Sequence, residues 1–272
     1  MPNDWWVPVA FTTGQARRFR IGPATVIAER RPHEWRVHVA SSDDPLDATL
    51  EIGVVVDPSD AGTATPTSDA HRFAFRSPPP KLVLEPRLAD RAVIVRPADP
   101  LTVPAGESVL LFVSTPLWTQ VATAGPRHEL IEAPCYRPSD TWFGPSTREG
   151  ELAYASRTAA RLELNELPAR PHRAITPVRV ANRSDAPLSL DRIRVPVEHL
   201  PLFGGPRGLW TSSVRLEHGG EYDGRAAVRV DRDPPSEAGR TTRLAEPRRS
   251  AESGLTLRSF GRWLGLSGGG AT

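Results

Sequence analysis

The sequence predicts an all-β protein: two β-sandwich-like (immunoglobulin-like) units followed by a flexible C-terminal tail. Three observations carry that expectation. Proline supplies 29 of the 272 residues, about twice the usual ~5%, and is spread along the chain instead of being gathered in a linker. An interior proline costs a helix ~3 kcal/mol or more and pushes the preceding residue toward extended geometry. Helices are thereby confined to three proline-free stretches, 146–167, 207–233 and 248–272. Elsewhere apolar residues recur with a period of two, nowhere more clearly than between Ile175 and Phe203.

From the N-terminus, Trp35, Val37 and Val39 alternate with Arg36 and His38. After a turn at Ser41–Pro45 the alternation resumes at Ala48, Leu50, Ile52, Val54 and Val56, which reads as a hairpin or meander. A Thr/Ser/Pro/Asp-rich surface loop follows over 58–70, and 82–84, 93–95 and 109–113 are further strands. The last two are apolar throughout, as buried strands are. The turn Pro104-Ala105-Gly106-Glu107 links two extended segments in the manner of a sandwich. Residues 1–121 form the first unit on this reading.

The second unit covers 122–230. It opens with an ordered connector over 128–145, where periodicity is lost around Cys135, Tyr136, Trp142 and Phe143. Alternation returns over 150–167, read as strand. Then come two strands joined by Asn182-Arg183-Ser184-Asp185-Ala186-Pro187, with a phase shift at Asp191 and Arg192 that predicts a bulge or bend. Residues 209–216 and 226–230 complete the unit. Beyond Asp231 the chain is polar and proline-punctuated, the composition of a disordered linker. The segment 255–266 places Leu257, Phe260 and Leu264 on one helical face and Arg258 and Arg262 opposite.

Charge is close to balanced, with 34 basic and 32 acidic residues. Seven of the former and five of the latter lie beyond residue 230, so the body is neutral. A neutral body lacks the basic stripe that releases counterions from a polyanion, and nucleic acid is not an expected partner. Lys81 is the only lysine, a bias that carries no functional weight. The single cysteine excludes an internal disulfide, and the opening residues show neither a basic n-region nor an uninterrupted apolar h-region. A cytoplasmic location is expected. No window of about 18 apolar residues spans a bilayer, which leaves a peripheral membrane contact through 255–266.

The residues offer little chemistry. His33, His38, His71, His128, His172, His199 and His218 form no HxH, HxxxH or HExxH pair, and surface histidines are expected. His128 with Glu129, and Glu198 with His199, are adjacent, and neighbours on a strand face opposite ways. Gly144-Pro145-Ser146 lacks the second glycine of a nucleophile elbow. Gly204-Gly205-Pro206-Arg207-Gly208 shares only glycine content with a phosphate loop, and Asn182-Arg183-Ser184 is turn chemistry. No catalytic residue, metal ligand or cofactor is expected. Contact with a ligand or partner falls to Trp118, Trp142, Tyr154 and Trp210, expected at strand ends or in loops. Arg157, between Ser156 and Thr158, either pairs with a carboxylate such as Asp140 or reads an anion.

The runs STPLW (114–118), PSDTWFG (138–144), GELAYASRTAA (150–160), TPVRVANRSDAPLSLDRIRVPVEHLPLF (176–203) and LWTSSVRL (209–216) together resemble domain of unknown function 432, a prokaryotic family. The similarity covers most of residues 20–230. The resemblance implies an all-β protein without an assigned activity, sometimes encoded near mechanosensitive channel genes, and it transfers no catalytic residues. The leading expectation is therefore a non-enzymatic interaction or accessory module, its partner an unknown protein such as a mechanosensitive channel. The alternative is a sandwich that binds a carbohydrate or other small molecule through Trp142, Tyr154 or Trp210.

Overall fold

In the computed structural model, residues 4–55, 70–144, 148–219 and 226–250 are described. The loop expected over 58–70 (apart from Ala70), the Pro145-Ser146 step and the segment 255–266 lie outside them. The strands in chain order begin β1 Val9–Ala10, β2 Ala16–Ile21, β3 Ala24–Arg30, β4 Glu34–Ser41, β5 Leu50–Val55, β6 His71–Ala74 and β7 Lys81–Leu88. They continue β8 Val93–Val95, β9 Leu101–Val103, β10 Ser108–Thr123, β11 Glu129–Pro134, β12 Asp140–Phe143, β13 Glu151–Ala155 and β14 Arg173–Asn182. The last are β15 Leu188–Leu190, β16 Ile193–Val195, β17 Leu202–Gly205, β18 Gly208–Thr211, β19 Val214–His218, β20 Ala226–Val230 and β21 Thr242–Ala245. Helical geometry among the described residues is confined to short 3-10 turns such as Val197–His199 and Ser236–Ala238. The protein is all-β, as the prolines require.

The chain divides into two compact units. One comprises Met1–Arg87, Leu117–Arg137 and Arg170–His172; the other comprises Leu88–Pro116, Pro138–Ala169 and Arg173–Thr272.

In the first unit an antiparallel sheet runs β5-β2-β3-β4-β6. Its inner positions Phe19, Ile21, Val26, Ala28, Trp35 and Val37 are each at most 1% exposed. Phe11 packs edge-to-face on Trp35, centroids 4.9 Å apart. The meander is β2-β3-β4, and β5 pairs with β2, so the expected hairpin between the Trp35 and Leu50 strands is replaced by a crossover. Strands β2 and β3, which the sequence reading did not include, bury Phe19/Ile21 and Ala24/Val26/Ala28 around the Gly22-Pro23 turn, where Gly22 holds φ +57. A second sheet of this unit orders β1, β7, the Leu117–Thr123 part of β10, and β11. The connector expected over 128–145 thus contains two strands, β11 on β10 and β12 on β13. Both are antiparallel pairings with the strand next in sequence, formed by segments too short and irregular for apolar alternation to mark them.

In the second unit the Ser108–Pro116 part of β10 lies antiparallel to β14. The other edge of β14 is shared by two parallel strands, β18 at its start and β19 at its end. β20 continues from β19, and β17 and β21 continue from β18. A smaller sheet orders β12-β13-β8-β16, and β15 pairs with β9. The strands β14 and β15, adjacent in sequence, therefore do not pair with each other. The expected bulge or bend at Asp191 and Arg192 is a bend at Asp191, where the chain passes from the partner of β9 to the partner of β8. Asn182 anchors the departure: fully buried, its Nδ2 donates to the carbonyls of Val103, Pro104 and Ala186, and its Oδ1 accepts from Ser184. Gly205 pairs with Gly208 across a tight hairpin turn.

Two further expectations change. Over 150–167 the strand stops at Ala155, and a 3-10 turn occupies Leu164–Glu166. The stretch 231–250 is not a disordered linker: β21 pairs with β17, and Ala238, 1% exposed, joins Phe203 and Trp210 in the core. The Arg249 amide donates to the Glu198 carbonyl and Arg248 Nε to the Leu88 carbonyl. Composition undervalued this segment because its order comes from main-chain pairing and two small apolar contacts.

Candidate anion-binding face

Three segments of the second unit repeat one short pattern: Pro177-Val178-Arg179-Val180, Ser213-Val214-Arg215-Leu216 and Ala227-Val228-Arg229-Val230. Alternation on a strand sends the two apolar side chains one way and the arginine the other. Val178, Val180, Val214 and Leu216 are fully buried and Val228 is 1% exposed, whereas Arg179, Arg215 and Arg229 are all exposed. Register then decides their meeting. Arg179 is the Cα partner of Arg215, and Arg215 of Arg229. Leu110 of β10, opposite Arg179, extends the row by one strand. The result is three outward arginines in register across β14, β19 and β20.

Like charges directly opposite on a sheet are destabilising. The first unit shows the ordinary remedy. There Arg36 and Arg72 are also Cα partners, and Glu34 sits between them, accepting from Arg36 Nε at 2.6 Å and Arg72 Nη2 at 2.8 Å. Those hydrogen bonds hold its carboxyl below the usual glutamate value. In the arginine row only Arg215 has such a partner among the described residues, Asp231 Oδ2 at 3.1 Å. Arg179 and Arg229 have no carboxylate within ion-pair distance among the described residues. Beside the row opens a cleft of about 460 Å³, floored by Leu110 and Pro177 and walled by the segment from Asp231 to Glu237. A row of fixed positive charge at a sheet surface raises the local concentration of anions and steers them in.

The residues singled out from sequence fall elsewhere: Trp142, Tyr154 and Trp210 are each the next-to-last residue of a short strand, and Trp118 alone lies in the middle of one. Trp118 is 7% exposed and sits in β10 opposite Pro134. Tyr154 is 3% exposed, its hydroxyl donating to Asp90 at 2.9 Å. Trp210 is fully buried. Trp142 alone is exposed, at 44%, beside its cross-strand partner Leu152. Trp142, Tyr154 and Trp210 thus do not converge on an aromatic pocket, because two of the three rings fill the interior.

Arg157 is exposed, and Asp140 is engaged by Arg91 at 3.3 Å. The hydroxyls beside it turn to Arg173, whose Nη2 donates to Thr158 Oγ1 at 2.9 Å and Ser156 Oγ at 3.3 Å. His172 is interior, not a surface histidine, with Nε2 3.1 Å from the Pro45 carbonyl. Glu198 and His199 lie on a 3-10 turn instead of a strand, which lets their side chains approach to 3.9 Å. The arginine row is not legible segment by segment, because strand register and not local sequence brings the three side chains together. The threefold recurrence of Val-Arg-Val/Leu was the signal that would have found it.

Fold and site together define an all-β protein that carries a cationic sheet face. The chain belongs to the family described as protein of unknown function (DUF432), whose family model matches residues 5–264. No curated protein and no solved structure matches it. No helix of the described residues is long and apolar enough to cross a membrane.

Proposed function

We propose that this chain is a non-enzymatic interaction module of the cytoplasm that docks an acidic partner on the β14-β19-β20 face. The single observation behind the reading is the register of Arg179, Arg215 and Arg229. Packed valines and leucine hold the strands beneath them, so the three charges are arranged before any partner arrives, which lowers the entropic cost of association. Charged groups at such a surface govern encounter rate and specificity. A membrane protein at its cytoplasmic face, such as a mechanosensitive channel, is the partner that the family resemblance suggests.

The test is binding of the full chain to poly-L-glutamate, followed by fluorescence anisotropy across a salt series. The wild type is compared with a variant carrying R179Q, R215Q and R229Q. Loss of roughly tenfold or more in affinity, with a flatter salt dependence, is the expected result. Equal binding by both proteins defeats the reading.

A further inference from the structure

We propose that the element received by Arg179, Arg215 and Arg229 is an acidic α-helix laid across the strands, with carboxylates at positions i, i+4 and i+8. The inference rests on the interaction-module reading and names its partner's shape. Neighbouring strands lie about 4.7–4.9 Å apart, so the three arginine stems rise from the sheet at that spacing. Side chains one helical turn apart are about 5–6 Å from one another. Over two intervals the mismatch is about 1–2 Å, well within the reach of an arginine side chain. Same-face side chains of an extended segment are about 6.6 Å apart, and over two intervals their mismatch grows to about 4 Å.

The fourth place in the row marks one end of the stripe. Leu110, half-buried opposite Arg179, meets the residue one turn beyond the carboxylate on Arg179, and an apolar side chain suits it. Arg215 keeps Asp231 on Nη2 and retains further N–H donors for the incoming carboxylate. The wall of the cleft carries Asp233 and Glu237 beside Arg232, with Asp231 held by Arg215, and the two carboxylates disfavour a negative charge on the flank of the helix that faces them. The partner helix therefore carries its acidic residues in one stripe instead of all round.

The experiment titrates the full chain with alanine-rich peptides of equal composition. One carries Glu at i, i+4 and i+8 with Leu at i−4; a second distributes the same residues around the helix; a third alternates Glu in a proline-interrupted extended sequence. The striped peptide is expected to bind about tenfold more tightly than either alternative and to gain helicity in circular dichroism on binding. The difference is expected to vanish in R179Q/R229Q. Exchanging the peptide's two outer Glu for Lys and the protein's arginines in R179E/R229E, with the central Glu kept for Arg215, is expected to restore binding, which shows that the variant is folded.

Equal binding of all three peptides, while poly-L-glutamate still requires the arginines, overturns the helix and leaves the docking face standing. Stronger competition by duplex DNA of matched charge overturns it as well. Failure of poly-L-glutamate to depend on the arginines removes both readings.

Discussion

Arg179 and Arg215 are Cα partners on neighbouring parallel strands, and both side chains point into solvent. Two like charges are thereby held in register by a sheet whose opposite face is apolar. Such an arrangement costs stability unless an anion occupies it, and this cost is measurable.

Arg229 is the cleanest place to measure it, because Arg215 also holds Asp231. R229Q is expected to stabilise the free protein by about 0.2–1 kcal/mol, read as a rise in the thermal midpoint at low salt. At about 1 M salt, where screening shortens to about 3 Å, the gain should disappear. A destabilised R229Q at low salt contradicts the account of the row.

Gly22 turns β2 into β3 at φ +57, and a methyl group there would lie 2.1 Å from His172 Nδ1 and 2.8 Å from the Asp47 carbonyl oxygen. The left-handed conformation costs an L-residue about 1–2 kcal/mol and overpacking adds about 1–3. G22A should therefore lose roughly 2–5 kcal/mol in denaturant unfolding. Gly14, at φ +85 with nothing within 4 Å, is the control: G14A should show only the conformational part.

Cys135 is fully buried beside Thr119, with its Sγ 3.1 Å from Thr119 Oγ1, and burial pushes its thiol up from 9.0 to about 12. A thiol raised in the folded state favours folding below the unfolded value and loses that contribution as pH climbs through the folded one. Between pH 9 and about 12 the protein should lose stability more steeply than C135A, by up to about 1.4 kcal/mol per pH unit. An alkylating reagent at pH 8 should label the thiol only after denaturation, and rapid labelling of the native chain would refute this.

Arg194 and Glu198 are each 4% exposed along their side chains and 3.2 Å apart, and Glu151 also accepts from Arg194. R194M leaves Glu198 buried opposite a neutral chain and should cost about 3–5 kcal/mol. Adding E198L should recover most of that loss in a urea midpoint. If the double variant is as unstable as the single one, the pair is not what makes R194M costly.

Particular residues show where reading by pattern stops. Val178, Val180, Leu188 and Leu190 were legible as inward positions, and all four are buried. That β15 pairs with β9 and not with β14 was not legible, because alternation marks a face and is silent about the neighbour. Likewise Trp210 looked the same from sequence whether it plugged a core or stacked on a ligand. Its contact with Phe203 and Ala238 is contributed by segments read respectively as strand and linker. The three Val-Arg-Val/Leu segments each send an arginine outward by alternation, yet nothing local says that the three stand opposite one another.

From its residues alone this protein is committed to pleated structure, since scattered prolines break helices and two-residue periodicity supplies each strand with one apolar side. Which strands become neighbours, and so which outward groups share a row, was decided only in three dimensions. Pairing is chosen by the burial of all the apolar sides together, against the entropy of closing long loops, and no single segment contains that sum.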